Sequence, residues 1–243
     1  RRRDREQDIM IAAGPLAGLV AALGYAASML LVKRAYQGGI RPYQYLIAAS
    51  FFQLIIYGVI LGFAEFPGDF SEMGLLILGA FVFIGAQALT VLAVYHGDAS
   101  IQTPVMGAKV IFVSLLNVSV LSASLTTDMW IGTIGAATAV FLLGWSRRSG
   151  GHPTLPGVLL ALGSALLFAC SDILIVYASE GLDPLFVVSF IMASSALVML
   201  LFLPFVKTSH FRIPKGALPW LLSGSAVFVG QTVIFGLALA FFR

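Results

Sequence analysis

Eight long apolar runs separated by short polar breaks make up nearly the whole chain. They cover Ile9–Val32, Pro42–Phe63, Met73–Tyr95, Ile101–Leu121, Met129–Trp145, Pro156–Tyr177, Pro184–Phe205 and Leu218–Phe242. Each is close to the roughly 20 residues that cross a bilayer core at 1.5 Å per residue. Hydrocarbon offers no partner for a backbone N–H or C=O, so runs of this length are predicted as membrane-spanning helices. The first run exceeds a signal-peptide core and is expected to remain as a helix. The breaks GGIRP, FPGD, HGDAS and EGLDP carry turn residues. The longest, Ser146–Leu155, is a polar Gly/Pro stretch that reads as a linker between two halves.

The pattern repeats across that linker. AGLVAALGYA (Ala17–Ala26) lies on PGVLLALGSA (Pro156–Ala165), GIRP (Gly39–Pro42) on GLDP (Gly181–Pro184), and GAFVFIG (Gly79–Gly85) on GSAVFVG (Gly224–Gly230). The order is kept, and the separation drifts only from 139 to 142 to 145 residues. Residues 1–145 then form a first repeat of five spans, 146–155 the linker, and 156–243 a second repeat. An odd number of spans before the linker makes the second half enter from the opposite face, an inverted repeat of the kind that recurs in secondary transporters. Symmetry leads to the expectation of five spans in the second half, of which three precede Arg243, and the chain does not open on Met. Small residues four apart, at Gly14, Gly18 and Ala22 and at Gly157, Ala161, Ala165 and Ala169, are read as close helix packing.

Composition agrees with an all-α polytopic membrane protein. Of 243 residues, 59% are hydrophobic and 10% charged, against about 25% charged in a soluble domain. The net charge of +3 comes from basic clusters beside apolar runs. That placement suits headgroups and orientation and excludes nucleic acid as the expected partner. An internal N-terminus puts Arg1, Arg2, Arg3, Arg5 and Arg243 inside, and the larger set Lys33, Arg34, Arg41, Arg147, Arg148, Lys207, Arg212 and Lys215 outside. The plain count favours the opposite orientation. The dense N-terminal arginine cluster and the resemblance described next favour the internal one, which is the reading adopted.

The glycine-rich opening of both halves, the GxxP entry to the second span of each, Pro104 early in the fourth span and LTTDMWIGTIGAATAVFLLG (Leu125–Gly144) together resemble the drug/metabolite transporter superfamily, in its EamA-like branch. The resemblance implies ten helices in two inverted five-helix repeats around a central site for small metabolites. An acidic residue common in that branch corresponds here to Ala123.

Charges inside spans are costly and usually face a cavity or a partner. Lys109 lies about 12 Å along the fourth run counted from Ile101, with Gln102 and Met106 on the same face. It is a candidate for attracting a carboxylate or phosphate, or else a lysine that snorkels along its stem. Asp172 falls roughly 24 Å along the sixth run, so counting places it deeper than Lys109 and out of reach of a direct pair. A substrate-amine or proton-coupling role and a structural role near the headgroups are both open to it. Gln87 and Gln231 fall within one position of each other in the repeat, as a pseudo-symmetric substrate site would need; either alone is helix-to-helix glue.

Catalysis finds no constellation. The GAK around Lys109 lacks the other residues of a phosphate loop, HExxH and GxSxG are missing, and Cys170 is the single cysteine. No cofactor or metal is implied. The expected function is a secondary transporter (permease) of small organic metabolites, amino acids or other carboxylate-bearing solutes among them, in a bacterial inner membrane. Its substrate site is drawn from Lys109, Gln102, Gln87, Gln231 and Asp172. Its partners are the solute, the lipid bilayer, and other membrane subunits or a second copy. The alternatives are a non-transporting scaffold or accessory subunit and a lipid carrier.

Overall fold

The computed structural model describes residues 2–64, 66–67, 73–96, 105–122, 124–146, 155–201, 203 and 213–241. Among them are eight helices: α1 (Arg2–Gln37), α2 (Pro42–Phe63), α3 (Met73–His96), α4 (Ala108–Ser119), α5 (Thr127–Ser146), α6 (Leu155–Ser179), α7 (Pro184–Leu201) and α8 (Leu218–Phe241). Six of these are long and apolar enough to cross a membrane, and the apolar helix of α4 is shorter. Leu23 and Leu30 on α1 and Ile55, Val59 and Phe63 on α2 stand exposed, apolar surface that hydrocarbon solvates and water does not. The chain is an all-α, multi-pass integral membrane protein.

The GxxP motif joins two helices in each half, by different turns. Gly39 adopts φ +90°, a left-handed conformation open to glycine, and the Ile40 N–H reaches back 3.4 Å to the Ala35 carbonyl to close α1. Pro42 then opens α2, where its missing N–H costs nothing. In the second half the Gly181 and Leu182 N–H groups bond the Ala178 carbonyl at 3.3 and 3.1 Å, and Pro184 opens α7. The Asp183 carboxylate accepts from the Leu185 N–H at 3.2 Å.

The chain divides into two compact units, Arg1–Ser71 with Ala178–Arg243, and Glu72–Tyr177. Each takes helices from both sides of the polar linker. In the first, α1 packs on α8 and α2 on α7, with α8 also touching α2 and α7. Gly24 is what lets α1 and α8 approach, since a Cβ there would stand 2.8 Å from the Gln231 Cβ. Gly38 is as tight, with the backbone of Ala217 2.9 Å from where its Cβ would be. Tyr57 on α2 is fully buried and its hydroxyl bonds that of Thr232 on α8. Thr232 in turn donates to the Phe228 and Val229 carbonyls of its own helix.

In the second unit, α3 meets α6 and α4 meets α5. Ala161, Ala165 and Ala169 are fully buried along α6, the outcome expected of a small-residue row. Of the corresponding row Gly14, Gly18 and Ala22, the structure describes only the helical backbone of α1. A Cβ on Gly163 would stand 3.2 Å from the Leu89 side chain of α3, and Ser164 donates to the Ala86 carbonyl at 2.8 Å. In the repeat alignment Gly163 corresponds to Gly24 and Ala86 to Gln231. The first helix of one half thus approaches the third helix of the other at matching positions in both units.

Candidate functional site

Two charged side chains from different helices meet in the second unit. The Lys109 ammonium lies 2.7 Å from a carboxylate oxygen of Asp172, and the two side chains are 34% and 27% exposed. Lys109 is the second residue of α4, which begins after a turn at Gly107, where the Val110 N–H bonds the Gly107 carbonyl at 3.2 Å. Asp172 lies in the C-terminal half of α6, one turn beyond Phe168 and on the same face. Pairing answers the cost of placing either charge among apolar helices.

The pair overturns the height estimate made from spacing, which put the two residues out of direct reach. That estimate measured Lys109 from Ile101, the start of an apolar run. The described helix runs from Ala108, so the run's first residue does not mark a height. Relative height of two helices is fixed by which side chains interlock, and composition carries no record of it.

Phe168 completes the arrangement and is not among the candidates read from sequence. Its ring centroid is 5.5 Å from the Lys109 Nζ, within cation–π range. Phe168 is itself buried and meets Phe83 of α3 edge-on, with centroids 5.5 Å apart and planes at 71°. Farther along the same contact, the Thr90 and Ser164 hydroxyls bond at 2.6 Å. Since Ser164 donates to the Ala86 carbonyl, it accepts from Thr90. A third hydroxyl pair, Ser114 and Thr133 at 2.9 Å, joins α4 to α5, with Thr133 donating to the Met129 carbonyl of its own helix. The helix that carries Lys109 is therefore tied to α5 one to two turns beyond the charge.

The glutamines are distributed differently. Gln87 is half-buried on α3, four residues after Phe83 and three before Thr90, and so shares the face that meets α6. Gln231 belongs to α8 in the other unit, packed against Gly24. Gln102 lies outside the described residues, as do Pro104, Ala123 and residues 147–154 of the linker. Lys109 and Asp172 are brought into contact, then, with Gln87 on a neighbouring helix of the same unit.

An ammonium and a carboxylate in contact, neither sealed by protein, can exchange partners with a polar solute. The arrangement offers no nucleophile paired with a base, and among the described residues no group of His, Cys, Asp or Glu is placed to hold a metal.

A family model described as the EamA-like transporter family matches residues 12–145, more than half of the chain. No curated protein matches the sequence. A crystal structure, described only as that of a protein, matches with a TM-score of 0.64 over 93% of this chain and 78% of the other. The two are 17% identical in sequence, so the likeness is one of fold.

Proposed function

We propose that this chain, which belongs to the EamA-like transporter family, is a secondary transporter of small organic metabolites, with carboxylate-bearing solutes, amino acids among them, as its substrate class. The family is one of transporters, and the multi-pass helical architecture accords with it. The substrate, the mechanism and a bacterial inner-membrane location are the proposed part.

The observation that carries the reading is the Lys109–Asp172 contact at 2.7 Å between α4 and α6. Intramembrane charges that pair and remain partly exposed are placed where solutes or ions pass more often than where they only hold structure. In the proposed mechanism Lys109 receives the solute carboxylate, and Asp172 receives its amine or a coupling proton. Gln87, Gln102 and Gln231 orient the solute. Movement follows alternating access between inverted repeats, 1–145 and 156–243. The matching approach of Gly24 to Gln231 and of Gly163 to α3 supports two structurally related halves.

The test is counterflow uptake into proteoliposomes, with labelled amino acids, organic acids, sugar phosphates and nucleosides offered to the wild type and to Lys109→Ala. Uptake by the wild type that the variant loses supports the reading. Unchanged transport of every anionic solute by the variant removes Lys109 from the mechanism, and no uptake of any solute by folded wild type removes transport itself.

A further inference from the structure

We propose that the end of the first unit where α1, α2 and α8 meet is a binding site for the head group of an anionic phospholipid, held by Arg34, Arg41 and Lys215 with Lys33 beside them.

Backbone packing brings these cations together. Arg34 lies in the last turn of α1, and its carbonyl accepts from the Gly38 N–H at 3.0 Å. Gly38 sits against Ala217, whose backbone is 2.9 Å from where a Cβ on the glycine would be, and Gly39 against the Pro214 ring at 3.7 Å. Arg41 immediately precedes α2, and Lys215 lies between Pro214 and Ala217, just ahead of α8. Arg34, Arg41 and Lys215 are exposed and Lys33 is half-buried.

No carboxylate of these helices balances them. The sequence holds no Asp or Glu between Asp8 and Glu65, and none after Asp183. Asp8 precedes Lys33 by about 38 Å of helix. Glu65 follows the other end of α2, a helix about 33 Å long. Glu180 and Asp183 precede α7, which starts at that same far end: Phe186 meets Phe66 edge-on, with centroids 5.4 Å apart. Cations left uncompensated at one end attract net negative charge, and an arginine fork suits a phosphate in two-point contact.

The surroundings point to a lipid as the source of that phosphate. Trp220, exposed in the first turn of α8, is of the type that settles at head-group level. Deeper along the face of α1 that carries Arg34 stand Leu30, Leu23 and Leu16, all exposed. An acyl chain can lie along that apolar stripe while the phosphate meets the cations above it. A soluble phosphate would use the cations alone. A zwitterionic lipid brings its own ammonium, so the site selects on net charge.

The experiment uses the purified full chain in detergent, titrated with phosphatidylglycerol, phosphatidylcholine or inorganic phosphate and read by thermal shift. Native mass spectrometry then counts the lipid retained after extraction from vesicles of phosphatidylcholine mixed with equimolar phosphatidylglycerol. Phosphatidylglycerol is expected to bind and to be retained over phosphatidylcholine. Each of Arg34→Gln, Arg41→Gln and Lys215→Gln should weaken it about fivefold, the worth of one cation near an anionic surface, and leave phosphatidylcholine unaffected. Arg34→Lys and Arg41→Lys should keep most of the binding. The wild type alone supplies a second measurement, since its preference for phosphatidylglycerol should shrink as salt is raised. Equal retention of the two lipids overturns the proposal, as does a triple glutamine variant that binds phosphatidylglycerol like the wild type. Inorganic phosphate that matches phosphatidylglycerol at equal concentration also overturns it, and assigns the cations to a soluble anion.

Discussion

Gly24 on α1 faces Gln231 on α8 so closely that a methyl group on the glycine would stand 2.8 Å from the glutamine Cβ. The atom in the way is the root of a side chain and cannot swing aside, so the two helices would have to separate. Gly24→Ala is expected to lower stability by about 1–3 kcal/mol, the usual cost of overpacking. Gly58→Ala and Gly132→Ala serve as controls: a Cβ at either meets nothing within 4 Å, and loss of glycine from a helix gains about 0.5–1 kcal/mol. Thermal unfolding in detergent reads all three. A Gly24→Ala midpoint at or above wild type would show that the α1–α8 spacing is not set there.

Neutralising the ion pair should be worse in halves than whole. Lys109→Met or Asp172→Leu alone leaves a charge without its partner. Each is expected to destabilise by about 2 kcal/mol, below the 3–5 kcal/mol of a fully buried pair because both side chains are partly exposed. The double variant should recover most of that loss while abolishing solute binding. The same unfolding measurement, run as a double-mutant cycle, gives the coupling; additive losses would mean that the two charges do not stabilise each other.

Thr90 and Ser164 form a second cycle, independent of charge. Thr90→Val and Ser164→Ala each remove one end of a 2.6 Å hydroxyl contact, and Ser164→Ala also strips the Ala86 carbonyl of a donor. Hydroxyl contacts between membrane helices are worth about 0.6–2 kcal/mol, and Ser164→Ala should lie at the upper end because it also loses the Ala86 bond. A Ser164→Ala loss below about 0.6 kcal/mol would argue against the Ala86 contact.

Gly39→Ala tests the turn between α1 and α2. A φ of +90° strains any residue with a Cβ, by about 1–2 kcal/mol. Gly38→Ala meets the Ala217 backbone at 2.9 Å and should be worse still. Expression and unfolding midpoint should rank wild type above Gly39→Ala and Gly39→Ala above Gly38→Ala; a reversed order of the two variants would place the constraint in φ and not in contact with Ala217.

Much of the helix pattern is legible in the sequence, because length and apolarity alone decide what a bilayer accepts. The predicted Pro42–Phe63 run is α2 residue for residue, since Pro42 marks its start. The fourth run is different: predicted over Ile101–Leu121, its described helix is Ala108–Ser119, after the turn at Gly107. Uniform apolarity hides such an interruption. It also hides which residues of two helices stand level, so spacing identifies Lys109 and Asp172 as candidates yet sets them apart. Phe168 escapes notice for a related reason: one phenylalanine among many in an apolar run carries no mark of what it faces. The repeated glycines are the exception. Gly24 and Gly163, aligned in the sequence, each sit where a neighbouring helix comes close.

The three hydroxyl contacts differ in what would remain if the helices they join were to part. Thr232 and Thr133 already hold carbonyls of their own helices, so α2 could slide from α8, or α4 from α5, with those hydroxyls still satisfied in a medium without water. Ser164 gives its proton to the Ala86 carbonyl of the neighbouring helix, and separation there would first require that bond to be traded for another. Two of the fastenings behave as clasps and the third as a rivet. The rivet holds α6, which carries Asp172, to α3, while Lys109 rides on the helix held by a clasp.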